Sequence, residues 1–439
     1  MSLDVQTPDK TVSVPKRRLK ILFTEASSLS ARQTLYALGK QHDIDLMDST
    51  HLAQCRFSSL RRRFFYCPNY AKDPQRFLRF LGQRLRVEQY DVLVPTHEQV
   101  YLLSKVREPL QQLVHVALPE FNAIQCLQSK ANFSRLLTKL EMPQPTVRIC
   151  QTKEEILQET QFPCYLKRAH STAGNGVERI ENHEELKKTV NRLVKERLID
   201  GKAEYLVQQV AVGVQGSAQA VFQHGKLVGA HLFLSRATGV GGSAAARISA
   251  WQPIIGEHLR KLGKHLNWHG AFFLDLFYDS ESGQPSYIEA NPRIGETVNA
   301  TLSGNNLAEL LVQVSMGKEL PEFNPPSGQI IQIKTHSGYM MLLHDALCGV
   351  TRRKMVSEVW NRSWSRGWYQ NSEDDLTRLW DDIYSVLPML YLHSWVLMYP
   401  PFAKQFVEST VENYSLSEKA LRQIASISPS KLYRSLAGS

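Results

Sequence analysis

One acidic and one amide side chain lie close together in residues 287–293, whose sequence is YIEANPR. Glu289 and Asn291 are two residues apart, so on an extended strand both side chains point to the same face. An apolar run containing Asp275 precedes them across a predicted turn, which would form a hairpin. Carboxylate and amide oxygens suit a hard cation, and we predict that Asp275, Glu289 and Asn291 bind Mg²⁺ or Mn²⁺ that bridges nucleotide phosphates. The alternative is a polar hairpin in which Arg293 pairs with Glu289.

A glycine-rich turn follows a predicted strand that ends at Lys167. Backbone amides of such a turn can approach phosphate oxygens closely, and a nearby lysine adds a point charge. We therefore predict phosphate binding by Lys167 together with Ser171, Gly174 and Gly176. The segment is not a Walker A loop, since no Lys-Ser or Lys-Thr follows its last glycine, and a plain hairpin is the alternative.

Two further segments have residue types that suit ligand contacts. Residues 205–213 form an apolar predicted strand whose edge can offer backbone groups to an adenine ring. Arg236 and Arg247 flank the glycine-rich residues 239–243. Glycines permit a loop to close over a ligand, and arginines bind a carboxylate or acyl phosphate bidentately. The alternative is a surface loop with solvated arginines.

The N-terminal elements indicate how these groups are positioned. Strands alternate with helices over residues 19–120, which predicts a doubly wound, parallel α/β sheet. The predicted strands cover residues 19–24, 44–47, 90–94 and 114–118. In such a sheet ligands bind beyond the carboxyl ends of the strands, which places residues 24–30 and 95–98 beside a cleft. Residues 1–18 are polar, and we expect them to form a disordered arm.

The middle of the chain predicts a second type of domain. One amphipathic helix is expected over residues 121–142, carrying Lys130 and ending before two prolines. Strands with tight turns follow, which is typical of an α+β unit. We therefore assign residues 121–325 to one domain, with a small lid subdomain at about 146–210 and a large subdomain at about 211–325.

Residues 326–439 are predicted to form a helical C-terminal appendage. The run 383–399 contains no Asp, Glu, Lys or Arg, but Pro388 and His393 interrupt it. A transmembrane helix is one interpretation of this run. We favour docking on a surface, either of this chain's own domains, of a second copy or of a bilayer, because Tyr and Trp are frequent at such interfaces.

Composition limits the class of protein. The chain has 439 residues, 43% hydrophobic and 21% charged, which predicts two or three globular domains and excludes low-complexity and collagen-like classes. The formal charge of +10 suits an anionic partner, but no zinc-finger or RNP pattern indicates a specific nucleic acid. The six cysteines include no CxxC, and the apolar run 21–23 is too short for a secretory signal. We expect a cytoplasmic protein, with peripheral membrane association through the appendage as a variant.

The motifs together resemble the ATP-grasp superfamily, of the carbamoyl-phosphate-synthase-like and biotin-carboxylase-like carboxylate-amine ligase type, over roughly residues 19–320. The order and spacing of the motifs carry this resemblance. It implies an α/β pre-ATP-grasp domain at 19–120, followed by the α+β ATP-grasp domain. It also implies that ATP and Mg²⁺ bind between the two subdomains. The implied nucleotide contacts are Lys130, Lys167, Ser171, Gly174, Gly176, Gln208, Gln209 and Ala211, and the implied metal ligands are Asp275, Glu289 and Asn291. Gln208-Gln209 stands where the family commonly has Gln-Glu, and Gln215 where an acidic residue is common.

The resemblance implies transfer of a phosphoryl group from ATP to a substrate carboxylate and attack on the acyl phosphate by an amine. Arg293, Lys167 and Arg247 are the implied catalytic residues, acting on small-molecule carboxylate and amine substrates. Two alternatives remain from the sequence. One is an ATP-grasp enzyme that phosphorylates an enol or another oxygen nucleophile, and the other is a nucleotide-binding scaffold without catalysis. A homo-oligomer formed through the C-terminal region is also compatible with the sequence.

Overall fold

The computed structural model describes residues 17–171, 176–325, 332–375 and 382–438, with the side chains of 412–414 excepted. These residues form three sheets: a four-stranded N-terminal sheet, a four-stranded sheet that we call the lid sheet, and a seven-stranded central sheet. The mixed α/β architecture that the sequence predicts is confirmed. Most of the predicted N-terminal arm lies outside the described residues, but Arg17 and Arg18 pair with Asp91 and Asp43.

The N-terminal sheet is parallel throughout. Its elements are β1 (Lys20–Phe23), α1 (Leu29–Leu38), β2 (Asp43–Asp48), β3 (Arg61–Tyr66), α2 (Pro74–Glu88), β4 (Val92–Val94), α3 (Gln99–Ser104) and α4 (Arg107–Gln111). The strand order is β3-β2-β1-β4. Three of the predicted strands are therefore confirmed, and the segments after β1 and β4 lie at the same edge of the sheet.

One prediction for this sheet is wrong, and one of its strands was not predicted. Residues 114–118 form no strand, because their only ladder contact is an isolated bridge between His115 and Val92. The strand beyond β2 is instead β3, which begins with three arginines and did not match an apolar pattern. As an edge strand, β3 keeps much of its surface in water, and Arg62 binds Asp45 of β2 through two hydrogen bonds of 2.6 and 2.8 Å.

The single helix predicted over residues 121–142 is two helices, α5 (Phe121–Gln128) and α6 (Lys130–Lys139). They are separated by Ser129, whose backbone is extended and whose hydroxyl accepts a hydrogen bond from the Asn132 N–H. Ser129 therefore caps α6, a role for which serine is strongly preferred. The break makes Lys130 the first residue of α6, with its N–H donating to the Ala169 carbonyl at 2.8 Å.

The lid sheet is antiparallel, with strand order β5-β8-β6-β7. Its elements are β5 (Val147–Cys150), α7 (Lys153–Leu157), β6 (Cys164–Arg168), β7 (Val177–Ile180), α8 (His183–Lys195) and β8 (Tyr205–Gln209). The sheet and its helices share an apolar core of their own, which includes Leu166, Leu186 and Val207. The predicted glycine-rich turn over residues 171–176 falls largely outside the described residues.

The central sheet has the strand order β13-β12-β9-β10-β11-β14-β15. Its elements and their helices are β9 (Val214–Gln223), β10 (Lys226–Thr238), β11 (Ala244–Ala250), α9 (Pro253–Leu266), β12 (Gly270–Asp279), β13 (Gln284–Asn291), α10 (Val298–Leu302), α11 (Leu307–Ser315), β14 (Lys334–His336) and β15 (Ser372–Asp374). Buried and half-buried residues alternate along β12, as the sequence pattern predicts. The predicted hairpin is formed by β12 and β13.

The C-terminal residues are joined to the rest of the molecule in several places. Two of their strands, β14 and β15, extend the central sheet beyond β11. Their helices are α12 (Gly338–Leu347), α13 (Arg352–Ser363), α14 (Ile383–Met398), α15 (Phe402–Tyr414), α16 (Glu418–Ser426) and α17 (Pro429–Ala437). Leu432 and Leu436 of α17 share an apolar cluster with Leu81 and Leu85 of α2. The C-terminal residues thus pack on this chain's own N-terminal domain.

The uncharged run in this region forms α14, a helix of 16 residues with Pro388 inside it. Over the described ranges, no helix combines the length and the apolar character needed to cross a membrane.

A buried ion pair holds the beginning of α14 against the N-terminal domain. Arg32 of α1 donates to the Asp382 carboxylate at 3.0 Å, and both side chains are almost completely buried. The other oxygen of Asp382 accepts from the backbone N–H and the hydroxyl of Ser59, at 2.8 and 3.0 Å. The two charges therefore fix the position of α14 relative to α1.

We expect Arg32→Met to leave the Asp382 charge buried without its partner and to lower the free energy of unfolding by about 3 to 5 kcal/mol. Urea denaturation would measure this loss. The matched control is Lys187→Met, which breaks an exposed pair with Glu184 and should cost less than about 1 kcal/mol. Equal losses for the two variants would contradict the anchoring role of the buried pair.

Candidate active site

A cavity of about 2140 Å³ lies between the N-terminal sheet, the lid sheet, the central sheet and the C-terminal helices. Most of the residues predicted for nucleotide, metal and substrate line it: Lys130, Lys167, Ser171, Gln208, Gln209, Ala211, Arg236, Arg247, Asp275, Glu289, Asn291 and Arg293. Of the two predicted glycines, Gly174 lies outside the described residues, and Gly176 is described but is not part of the cavity lining. Residues that are far apart in the sequence thus line the same cavity.

Two carboxylates face each other on the central sheet. Asp275 of β12 is paired in register with Glu289 of β13, and Asn291 Nδ2 donates to Asp275 Oδ2 at 3.0 Å. Burial, followed by the charge of Glu289, raises the pKa of Asp275 to about 7. Like charges directly opposite each other destabilise a sheet unless a cation neutralises them.

Lys130 supplies one such cation. Its Nζ donates to Glu289 Oε1 and to the Ser171 carbonyl oxygen, each at 2.8 Å, and its side chain is only 5% exposed. This contact depends on Ser129, because the helix break places Lys130 at the N-terminus of α6 and beside the end of the lid sheet. Lys130 therefore links the lid sheet to the carboxylates of the central sheet.

Lys167 is a second buried cation that lines the cavity. Its Nζ lies 2.5 Å from Gln208 Oε1 on the neighbouring strand β8. Burial lowers the pKa of Lys167 to about 8, and the charge of Lys130 lowers it further, while Glu289 and Asp275 act in the opposite direction. A buried lysine near two carboxylates retains a donor for an anionic ligand.

The two predicted hinge glutamines make different contacts. Gln208 accepts from Lys167, whereas Gln209 Nε2 donates to the Gln161 carbonyl at 3.3 Å and to Glu159 Oε1 at 3.4 Å. The side chain of Gln209 is therefore directed to the connection before β6, although the residue lines the cavity. The two glutamines are adjacent on β8, so their side chains point to opposite faces of the lid sheet.

The donor set suits a cation that shares its coordination with another ligand. The part of the chain that the structure describes has no group of three or more His, Cys, Asp or Glu side chains arranged to hold a metal. Asp275, Glu289 and Asn291 supply two carboxylates and one amide. Mg²⁺ commonly takes one or two carboxylates and completes its shell with phosphates and water. Burial and the charge of Glu289 outweigh the charges of Arg293 and Lys130 in raising the pKa of Asp275, so the site would stabilise a further cation.

The chain is similar to known proteins in sequence and in fold. No protein-family profile matches the chain. The C-terminal section of the carbamoyl phosphate synthase large chain of Methanopyrus kandleri is 23% identical over 241 residues, which are 47% of this chain and 42% of that protein. The biotin carboxylase domain of the Hydrogenobacter thermophilus 2-oxoglutarate carboxylase, solved with MgADP and bicarbonate, is similar in structure, with a TM-score of 0.55 and 15% sequence identity. The match covers 70% of this chain and 72% of that chain.

An L-amino acid ligase from Bacillus licheniformis is similar in structure, with a TM-score of 0.54, 15% identity, and coverage of 72% of this chain and 80% of that chain. This chain has the fold of these proteins, which agrees with the ATP-grasp resemblance of its motifs. At 15% identity the structural likeness shows the fold alone. The chain spans less than half the length of the curated relatives it matches.

Acidic residues that the sequence analysis missed hold Arg247 in place. Its guanidinium is 4% exposed, donates to Glu296, and has Nη1 3.6 Å from Asp375 Oδ2. Burial raises the pKa of Asp375 to about 8. No local pattern could have indicated Asp375, since it follows β15 and reaches the cavity wall only because β15 joins the central sheet.

Three arginines retain buried N–H groups without a hydrogen-bond acceptor among the described residues. These atoms are Arg236 Nη1, Arg247 Nη1 and Arg293 Nε. Arg236 lies over the Trp368 ring at 4.2 Å, and Arg293 lies over the Phe273 ring at 5.0 Å. All three arginines line the cavity. Buried donors without an acceptor favour an anionic ligand, because a buried N–H group that makes no hydrogen bond costs free energy.

We expect Asp275→Asn to change the dependence of stability on pH. The folded-state pKa of Asp275 is about 7 against an ordinary 3.8, so the folded protein binds more protons than the unfolded protein between these values. The contribution of Asp275 to the free energy of unfolding therefore falls as the pH rises from about 4 to about 7. Urea titrations without nucleotide or metal should show the variant gaining stability relative to the wild type across this range. A difference that does not change with pH would contradict the raised pKa.

Proposed function

We propose that this chain is an ATP-dependent ligase that activates a carboxylate as an acyl phosphate for attack by an amine. The observation that carries the proposal is the convergence of Lys130, Lys167, Asp275, Glu289 and Asn291 on one cavity wall. The names of the similar proteins support it, because they include a carbamoyl phosphate synthase, a biotin carboxylase domain solved with MgADP, and an amino acid ligase.

The residues at this wall have distinct roles in the proposal. Asp275, Glu289 and Asn291 hold Mg²⁺, which when bound neutralises charge on the nucleotide phosphates. Lys167 donates from Nζ to the phosphates. Lys130, whose Nζ donates to Glu289 in this structure, would donate to a phosphate oxygen in the nucleotide complex. Phosphoryl transfer requires mainly positioning and charge stabilisation, so this set needs no covalent nucleophile.

The substrate carboxylate binds where the three arginines line the cavity. Arg236, Arg247 and Arg293 provide N–H groups without an acceptor on this chain's described residues, which is the chemistry that a carboxylate or acyl phosphate requires. A carboxylate oxygen takes the γ-phosphoryl group and ADP leaves. The amine nitrogen then attacks the carbonyl carbon, phosphate leaves, and the nitrogen loses a proton.

The domain layout predicted from the sequence remains part of this proposal. We infer that the lid subdomain, at about 146–210, covers the nucleotide, and its separate apolar core supports this role. Residues 19–120, 211–325 and 326–439 then form the body that carries the rest of the site. Contact of the C-terminal helices with a bilayer or with a second copy, and a cytoplasmic location, stay predictions from the sequence.

Lys167→Ala is expected to weaken ADP binding about 10- to 100-fold, because it removes a charge-assisted hydrogen bond of roughly 1.5 to 3 kcal/mol. Isothermal titration with MgADP would measure this effect without any turnover. Lys195→Ala, at an exposed position on α8, is the control and should bind like the wild type. Unchanged affinity for Lys167→Ala would remove this lysine from the nucleotide site.

Glu289→Gln should lower ligase turnover about 100-fold or more, since it removes a negative charge from the metal site without changing side-chain volume. The assay follows ADP release with pooled carboxylates and amines, and hydroxylamine captures any acyl phosphate as a hydroxamate. Glu281→Gln, in the exposed turn between β12 and β13, is the matched control. Wild-type turnover by Glu289→Gln would refute the metal assignment, and ADP release without hydroxamate would refute acyl phosphate formation.

A further inference from the structure

The cavity is larger than a single ligand site. Its volume of about 2140 Å³ is roughly twice the upper end of the usual range for small-molecule sites, which is about 1,000 Å³. The lysines, carboxylates and arginines described above occupy the side formed by the lid and central sheets. C-terminal helices form another part of the cavity lining, to which the proposed chemistry assigns no role.

Apolar side chains from three C-terminal helices line this part of the cavity. We call them the tail wall: Tyr339 and Leu343 of α12, Leu387 and Tyr391 of α14, and Phe402 and Phe406 of α15. Tyr339 and Leu343 are buried, whereas Leu387 and Tyr391 are each 62% exposed. The exposed pair lines the same cavity as the carboxylates and lysines, so apolar surface borders the space in which the reaction is proposed to occur. Polar side chains of α15, including Gln405 and Thr410, line the cavity beside them.

The glycine-rich turn at residues 239–243, which Arg236 and Arg247 flank, connects the polar part of the cavity to the tail wall. Val240, in the glycine-rich turn between β10 and β11, packs against the apolar cluster that contains Tyr339 and Leu343. Gln215 Nε2 donates to the Gly242 carbonyl at 2.8 Å, which ties the same turn to β9. A molecule whose anionic end lies at the arginines would therefore have apolar surface next to it.

We propose that the carboxylate substrate carries an extended apolar chain, and that the tail wall binds this chain while the arginines bind its carboxylate. This inference rests on the proposed function, because it identifies the substrate class of the same site. A substrate fits these residues better than a second copy of the protein does, since Leu387 and Tyr391 line the cavity that also contains Asp275 and Glu289. The tail wall would then set specificity without taking part in the chemistry.

Binding of straight-chain carboxylates to the full-length chain tests this inference without any turnover. Butanoate, hexanoate, octanoate and decanoate are titrated by calorimetry, with and without MgADP. We expect the affinity to rise about twofold to fourfold for each methylene group, because each buried methylene adds up to about fourfold. An affinity that is the same for butanoate and decanoate would overturn the inference.

A matched pair of variants on one helix locates the binding surface. Leu387 and Leu390 both lie on α14 and are 62% and 57% exposed, but only Leu387 is among the residues that line the cavity. We expect Leu387→Gln to weaken decanoate binding about fivefold or more and to leave butanoate binding unchanged, with Leu390→Gln within twofold of wild type. Equal effects of the two substitutions would overturn the assignment of the tail wall.

The same titrations separate this inference from the proposed function. If MgADP binds and chain length has no effect, the apolar substrate class is wrong and the nucleotide site stands. If MgADP does not bind and affinity still rises with chain length and falls in Leu387→Gln, the tail wall stands and the ligase proposal fails. Chain-length dependence that persists unchanged in Leu387→Gln would place the apolar site elsewhere and would refute the inference.

Discussion

The repulsion between two carboxylates that face each other across β12 and β13 is the interaction around which the candidate site is built. Asp275 and Glu289 are fixed opposite each other by the register of the central sheet. Positive charge reaches them from separate parts of the chain, as Lys130 at the start of α6, Lys167 in the lid sheet and Arg293 after β13. Because no single element carries both signs of charge, the site exists only when the lid and central sheets are assembled together.

The C-terminal residues supply strands and side chains to this assembly and do not form a separate appendage. Strands β14 and β15 complete one side of the central sheet, and the residue after β15, Asp375, is within 3.6 Å of Arg247. The buried pair of Arg32 and Asp382 fixes the beginning of α14, a helix that lines the cavity, against α1. The N-terminal domain, the central sheet and the C-terminal helices therefore depend on one another for both stability and the shape of the cavity.

The sequence predicts those parts of the fold and site that depend on local periodicity. Alternation along β12 and β13 correctly places Asp275, Glu289 and Asn291 together, because side chains two residues apart share a face of a strand. It fails where tertiary contacts override the pattern. The helix break at Ser129 was hidden inside an amphipathic repeat, and the arginine-rich edge strand β3 has no apolar periodicity. The contact of Asp375 with Arg247 depends on sheet topology, which no local motif encodes.

The two hydrogen bonds of Lys130 have a thermodynamic consequence. One ammonium group is shared between the Ser171 carbonyl at the end of the lid sheet and the Glu289 carboxylate of the central sheet. Any cation that binds Glu289 competes for an acceptor of this ammonium, and so changes the free energy with which the lid sheet is attached. By linkage, the position of the lid must alter the affinity for that cation by the same factor. A single lysine thereby couples the binding of a cation at Glu289 to the attachment of the lid sheet.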